Sequence, residues 1–153
     1  MRPLRIYIDT SVLGGYFDKM FSKETKLLFD KIIEKEFMLV ISTLTVNELT
    51  KSPENVRNLL KDLKIDNFET IIVSEEEINL AKSYVSNNVV GNSSLDDCIH
   101  IATATIHHVD IIVSWNFRHI VNIKWIRGYN SVNIKNGYQT IEIRSPKDLI
   151  YED

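Results

Sequence analysis

Short runs rich in isoleucine and valine, alternating with stretches of helical periodicity, constrain this chain more than any other feature. Leu4-Ile8, Phe37-Ile41 and Asp110-Val113 are such runs, and Thr70-Val73 and Thr140-Ile143 are two further candidates. Strands covered on both faces read as continuous apolar runs, and parallel neighbours must be joined by long crossovers, usually helices. The intervening segments fit that role. Lys23-Glu36 places Leu27, Leu28, Ile32 and Ile33 at helical spacing, and Pro53-Leu63 sets Val56, Leu59, Leu60 and Leu63 on one face. Ser74-Glu75-Glu76-Glu77 has the form of a capping box, and Ser94-Leu95-Asp96-Asp97 opens a helix that runs to about His107. The spacing therefore predicts parallel strands with helical crossovers in a three-layer α/β arrangement, and 153 residues fit one domain, 1–153.

No apolar stretch approaches the roughly 20 residues that a membrane helix requires. The start, Met-Arg-Pro-Leu-Arg-Ile-Tyr-Ile-Asp, lacks the long apolar core of a secretory signal, so a cytoplasmic protein with no membrane contact is expected. Cys98 is the only cysteine, which excludes an intrachain disulfide or a thiolate cluster, and its apolar neighbours suggest core packing. The net charge of −3 is unevenly spread. Residues 1–110 hold 12 Lys/Arg against 17 Asp/Glu, whereas residues 111–147 hold six (Arg118, Lys124, Arg127, Lys135, Arg144, Lys147) against Glu142 alone. A basic region beside an acidic pocket suits a phosphodiester substrate, with Arg118 and Lys124 the candidate phosphate contacts; a solvated surface is the simpler reading of the same bias.

The acidic pocket is inferred from where carboxylates stand. In open parallel sheets the ligand crevice lies beyond the carboxyl ends of the strands, and Asp9 and Asn116 both sit just past such ends. Glu48 follows the second strand by about a helical turn, and Asp97 begins a helix that feeds the strand at 110–113. Three convergent carboxylates with nearby hydroxyls and amides suit a hard cation such as Mg²⁺, which makes a metal-dependent nuclease the leading expectation. Each residue also has a structural explanation. Asp9 can cap the helix that begins near Ser11, Thr45-Val46-Asn47-Glu48 is itself a capping box, and Asp97 or Asp96 can complement a helix dipole. Asp96 and Asp97 lie about 100° apart on a helix, so only one should face the pocket. His100, three residues after Asp97, is a candidate pocket lining, and no standard zinc spacing joins it to His107, His108 or His119. Trp115, Phe117 and Trp125 interleave with Arg118 and Lys124 and could stack bases, though core packing is commoner for such residues.

At these residues the chain resembles the PIN-domain family, in particular its small VapC-like toxin branch. The matching segments are Ile6-Tyr7-Ile8-Asp9-Thr10-Ser11-Val12, Ser42-Thr43-Leu44-Thr45-Val46-Asn47-Glu48-Leu49, Asp96-Asp97-Cys98-Ile99-His100-Ile101-Ala102-Thr103-Ala104 and Ile111-Ile112-Val113-Ser114-Trp115-Asn116-Phe117. The resemblance implies a five-stranded, mostly parallel sheet in an α/β/α sandwich. It also implies an acidic pocket for Mg²⁺ or Mn²⁺, endoribonuclease activity on single-stranded RNA, and an antitoxin protein as partner. The family's three acids fall on Asp9, Glu48 and Asp97 as metal ligands, with Asp96 adjacent and the hydroxyl of Thr10 or Ser11 placed to support the first acid; Ser114 and His100 are further pocket support by their own positions. The fourth position, usually Asp, is Asn116, which brings an amide oxygen and no charge; a single-metal site follows more naturally than a two-metal one. Asp110 is a poor substitute, since it opens the strand that Asn116 follows and lies about 20 Å away at roughly 3.3 Å per residue. Asn116 also keeps open a different class of function, a weakly active or inactive domain that binds RNA or protein. A phosphoacceptor receiver domain, which also carries Asp at strand ends, needs an acidic pair that Asp9-Thr10-Ser11 does not supply. The apolar faces of Lys23-Glu36 and Pro53-Leu63 could serve a homodimer or an antitoxin as readily as the core.

Overall fold

The computed structural model describes residues 2–91 and 94–150. Five strands alternate with helices: β1 (Leu4–Ile8), β2 (Phe37–Ser42), β3 (Glu69–Ile71), β4 (Ile111–Val113) and β5 (Glu142–Arg144). They form one sheet in the order β3-β2-β1-β4-β5, with every pairing parallel, as the expected fold class requires. The chain builds outward from β1 through β2 to β3, then returns to lay β4 against the other side of β1. The order therefore reverses between β1 and β4.

The pleat divides the core into two layers. Ile6, Ile8, Leu39, Ile41, Ile111 and Val113 face one layer, whereas Tyr7, Val40, Ile71, Ile112 and Ile143 face the other. The first layer is covered by α1 (Thr10–Gly15), α2 (Ser22–Ile33), α4 (Glu54–Arg57), α5 (Leu59–Asp62) and α9 (Lys147–Ile150). The second is covered by α6 (Glu75–Ser86), α7 (Leu95–Ile106) and α8 (Ile123–Lys135), with α3 (Thr43–Leu49) between the two at the sheet's carboxyl edge. In α2 the helical spacing buries Leu28, Phe29 and Ile32, each worth about 1.5–3 kcal/mol, and leaves Leu27 and Ile33 partly in solvent. Cys98 is buried in the second layer, as its neighbours suggested. No helix among the described residues is long and apolar enough to cross a membrane.

Two expectations need correction. Pro53-Leu63 is not one helix: it breaks at Asn58 into α4 and α5, although Val56 and Leu59 are buried as the periodicity requires. Helix α8 is absent from the sequence reading because Gly128, Asn130 and Asn133 weaken its propensity. Tertiary bonds supply what propensity lacks. Buried Asn133 accepts from the Tyr84 hydroxyl, and Asn130 clamps Ile141 through both its main-chain groups, at 2.7 and 3.1 Å.

Candidate active site at the sheet's switch point

The crevice between β1 and β4 collects the acids from three directions. Asp9 ends β1 and caps α1, its Oδ1 accepting from Val12 N at 3.3 Å and from Ser11 Oγ at 2.6 Å. The register pairs Ile8 with Val113, so Ser114 stands beside Asp9 and donates to Oδ2 at 2.6 Å. Capping and pocket-building are thus one role for Asp9. Burial pushes its carboxyl above the ordinary range, while the charge of His100 and these three donors pull it back.

Glu48 does not take the capping part that Thr45-Val46-Asn47-Glu48 allowed. Helix α3 starts three residues earlier, capped by Ser42 rather than Thr45, so Glu48 falls in its last turn and turns into the crevice. Its Oε1 accepts from Thr10 Oγ1 and from His100 Nε2, both at 2.7 Å. Burial opposes its ionisation, yet His100 and Thr10 together hold its carboxyl below the usual range. His100 is itself buried, and its ring continues through Nδ1 to Tyr7 Oη at 2.5 Å and on to Ser42 Oγ at 2.7 Å. Burial disfavours an imidazolium; the electrostatic influence of Tyr7, the hydrogen bond to Glu48 and the carboxylates of Asp9 and Glu48 outweigh it and raise the pKa to about 10. As an imidazolium His100 donates from both nitrogens, to Glu48 and to Tyr7, and the Tyr7 hydroxyl is then free to donate to Ser42.

Asp97 lies in the first turn of α7, which enters at the carboxyl edge because it runs back antiparallel to the strands. It is half-buried whereas Asp96 is exposed, so the pair divides as the 100° rule requires. Burial raises the Asp97 carboxyl; Asp9 and Glu48 raise it further, while His100 and His119 lower it. Asp97 therefore lies within electrostatic reach of both other acids. His119 Nδ1 stands 3.4 Å from Asp97 Oδ2. Asn116 reaches the same edge, but its Oδ1 accepts from Arg118 N at 3.1 Å and His119 N at 2.9 Å, closing the turn after β4. Arg118 and Lys124 are exposed beyond it, Lys124 lying over the Trp125 ring. Trp115 is core: it stacks on Phe21, bonds Thr25 and packs on Gly15, where a Cβ would approach it to 2.7 Å. Asp110 sits at the opposite pole, bound to Arg2 and to the Arg5 main chain.

Tyr7, Ser42 and His119 had no assigned place in the site from the sequence. Only Tyr7 carried a signal, as a hydroxyl inside an aliphatic strand that must find a buried partner. The donor set in the crevice is oxygen-rich, which suits Mg²⁺ or Mn²⁺ in kind. Among the described residues no three His, Cys, Asp or Glu side chains stand close enough to enclose an ion. An ion that keeps several waters needs only one or two direct carboxylates, so the residues present fit such a group.

The fold defines an α/β domain with Asp9, Glu48 and Asp97 gathered at the carboxyl edge of its topological switch point. The chain belongs to the PIN domain family, whose family model matches residues 6–120. Three solved structures share its fold. FitAcB from Neisseria gonorrhoeae superposes with a TM-score of 0.58 at 16% identity, covering 93% of this chain and 98% of that one. A toxin-antitoxin complex from Klebsiella pneumoniae gives 0.54 at 18% identity, covering 74% and 88%. VapBC2 from Rickettsia felis, bound to a DNA fragment from its promoter, gives 0.53 at 14% identity, covering 93% and 98%. At these identities the likeness is one of fold. No curated protein sequence matches the chain.

Proposed function

We propose that this chain is a divalent-metal-dependent endoribonuclease of the VapC-like toxin type, acting on RNA in the cytoplasm and restrained by an antitoxin protein. The observation that carries this reading is the convergence of Asp9, Glu48 and Asp97 on the β1–β4 crevice, where the charges of Asp9 and Glu48 both raise the Asp97 carboxyl. Membership of the PIN domain family supports nuclease chemistry, and the toxin-antitoxin complex among its fold neighbours supports a protein partner.

In this mechanism Asp9 and Asp97 hold a Mg²⁺ or Mn²⁺ ion. Such an ion supplies charge neutralisation at the phosphate and acidifies a water. Ser11 and Ser114 fix the rotamer of Asp9 by donating to both its oxygens. Among the described residues no hydrogen bond reaches Glu48 Oε2, which accepts the proton of the attacking water, while Thr10 and His100 fix the side chain's orientation through Oε1. Asn116 holds the turn that carries Arg118 and His119 to the rim, and with Ser114 lines the side opposite Glu48. Arg118 and Lys124 neutralise flanking phosphates; replacing either with Ala should lower the slope of log K against log salt by about 0.7.

The deciding experiment incubates the purified chain with labelled RNA, with and without Mg²⁺ or Mn²⁺, beside Asp9→Asn and Asp97→Asn. Metal-dependent cleavage lost in both variants, with melting temperatures held, is the expected result. Asn116 and the His100 imidazolium on Glu48 favour a second reading, a PIN domain that binds RNA or protein without cutting. RNA binding with no cleavage under either metal would establish that reading instead.

A further inference from the structure

At the pole opposite the carboxylates, a pocket of about 200 Å³ opens against the amino ends of β1 and β2. Its walls are Ile32 and Ile33 of α2, Phe37 and Met38 of β2, and Leu63 and Ile65 around the end of α5. An apolar cavity of about 150 Å³ is enough to take up benzene, so this one accommodates a single aromatic ring or a short branched chain.

The rim is built by two copies of one turn. After α2 the chain reverses at Lys35 (φ 65°), with Glu36 N bonded to Lys31 O; after α5 it reverses at Lys64 (φ 58°), with Ile65 N bonded to Leu60 O. This helix-ending turn needs a left-handed residue, for which Gly is the default and Asn the usual alternative. The same turn closes three other helices here, with Asn88, His108 and Gly137 in the left-handed position. Asn and His are among the side chains enriched in that conformation; lysine is not. Both pocket turns carry lysine, so the backbone does not account for the residue type. Among the described residues neither ammonium has a carboxylate or carbonyl partner. Asp66 also lines the pocket, leaving two cations against one anion over an apolar floor.

We propose that this pocket, between the paired turns at Lys35 and Lys64, is a second binding site that takes a small amphipathic carboxylate with its apolar body against Ile33, Met38 and Leu63. The anion sits between the two ammonium groups. The site shares no residue with the acidic crevice and does not depend on the nuclease reading.

The test is nitrogen–proton correlation spectroscopy of the whole chain, titrated with 3-phenylpropanoate and with its neutral amide. The expected result is saturable shifts at the amides of Met38, Lys64 and Ile65 with the carboxylate. Binding of the amide should be about fivefold weaker, the scale of one or two exposed ion pairs. Lys35→Gly with Lys64→Gly is the decisive variant, because Gly suits both turns: melting temperature should hold or rise while the preference for carboxylate over amide disappears. Equal binding of acid and amide to the unaltered chain, unaltered preference in the double variant, or shifts confined to other surfaces would overturn the proposal. So would a dimer in light scattering that Ile33→Asp dissociates, since a second copy would then be the occupant.

Discussion

Two glutamate–histidine pairs in this molecule have nearly the same bond and opposite surroundings. Glu48 meets His100 at 2.7 Å with the histidine side chain 3% exposed and the glutamate 31%. Glu77 meets His107 at 2.6 Å with the histidine 35% exposed and the glutamate 3%. Which partner faces water decides what each pair can do. Glu77 is enclosed by a capping box, receiving the main-chain N–H and the hydroxyl of Ser74, so its oxygens are consumed in starting α6 and tying it to the end of α7. Glu48 shows one oxygen to a crevice that also holds Asp9 and Asp97, while its histidine is locked behind it by Tyr7. A pair whose acid is buried holds helices together; a pair whose base is buried presents an acid.

The largest test of this contrast is activity. Glu48→Gln should reduce metal-dependent RNA cleavage by about a hundredfold or more, the scale of a lost general base, whereas Glu77→Gln should leave the rate per folded molecule unchanged. Equal losses in the two, measured at matched folded fraction, would erase the distinction. Stability should rank the histidines the same way. His100→Ala leaves Tyr7 only its Ser42 bond and takes from Asp9, Glu48 and Asp97 the imidazolium they share, at a cost of about 3 kcal/mol, while His107→Ala leaves Glu77 its Ser74 donors and should cost about 1 kcal/mol. Denaturant unfolding of the metal-free proteins gives both numbers.

Proton linkage separates the pairs further. Both glutamates have lowered pKa values, so their contributions are present above about pH 4.5 and fade as pH falls below it. His100 is raised to about 10, so its contribution is complete below the unfolded value near 6.5 and is lost as pH climbs toward 10. The metal-free melting temperature should therefore drop by several degrees between pH 6.5 and 9. That drop should vanish in His100→Gln and persist in His107→Gln. Smallest is the effect of adding charge on the side of the crevice opposite Glu48. Asn116→Asp can keep the turn to Arg118 and His119 with one oxygen and offer the other to the crevice. Mn²⁺ should bind several-fold more tightly, with a slight fall in metal-free stability from repulsion. Titration calorimetry with unchanged affinity would remove Asn116 from the pocket.

The sequence by itself determined the layer order and the acids' places along it. Isoleucine- and valine-rich runs, broken by helical periodicity, admit little besides a parallel α/β sheet. Acids set just past strand ends, or at the start of a helix running back toward the strands, must then gather at the carboxyl edge. Those signals are local, because a residue's burial on a strand or helix is written in its near neighbours. What only the tertiary structure decided depends on partners far apart in the chain. Asn-rich α8 is held by Tyr84 and Ile141, and Glu48 is turned from its cap by a histidine 52 residues away. Tyr7 leaves its strand's apolar pattern to anchor that histidine, and two lysine turns meet across a pocket at the far pole. A hydrogen bond or a cavity wall has no period along the sequence, and it exists only once folding has brought its two sides together.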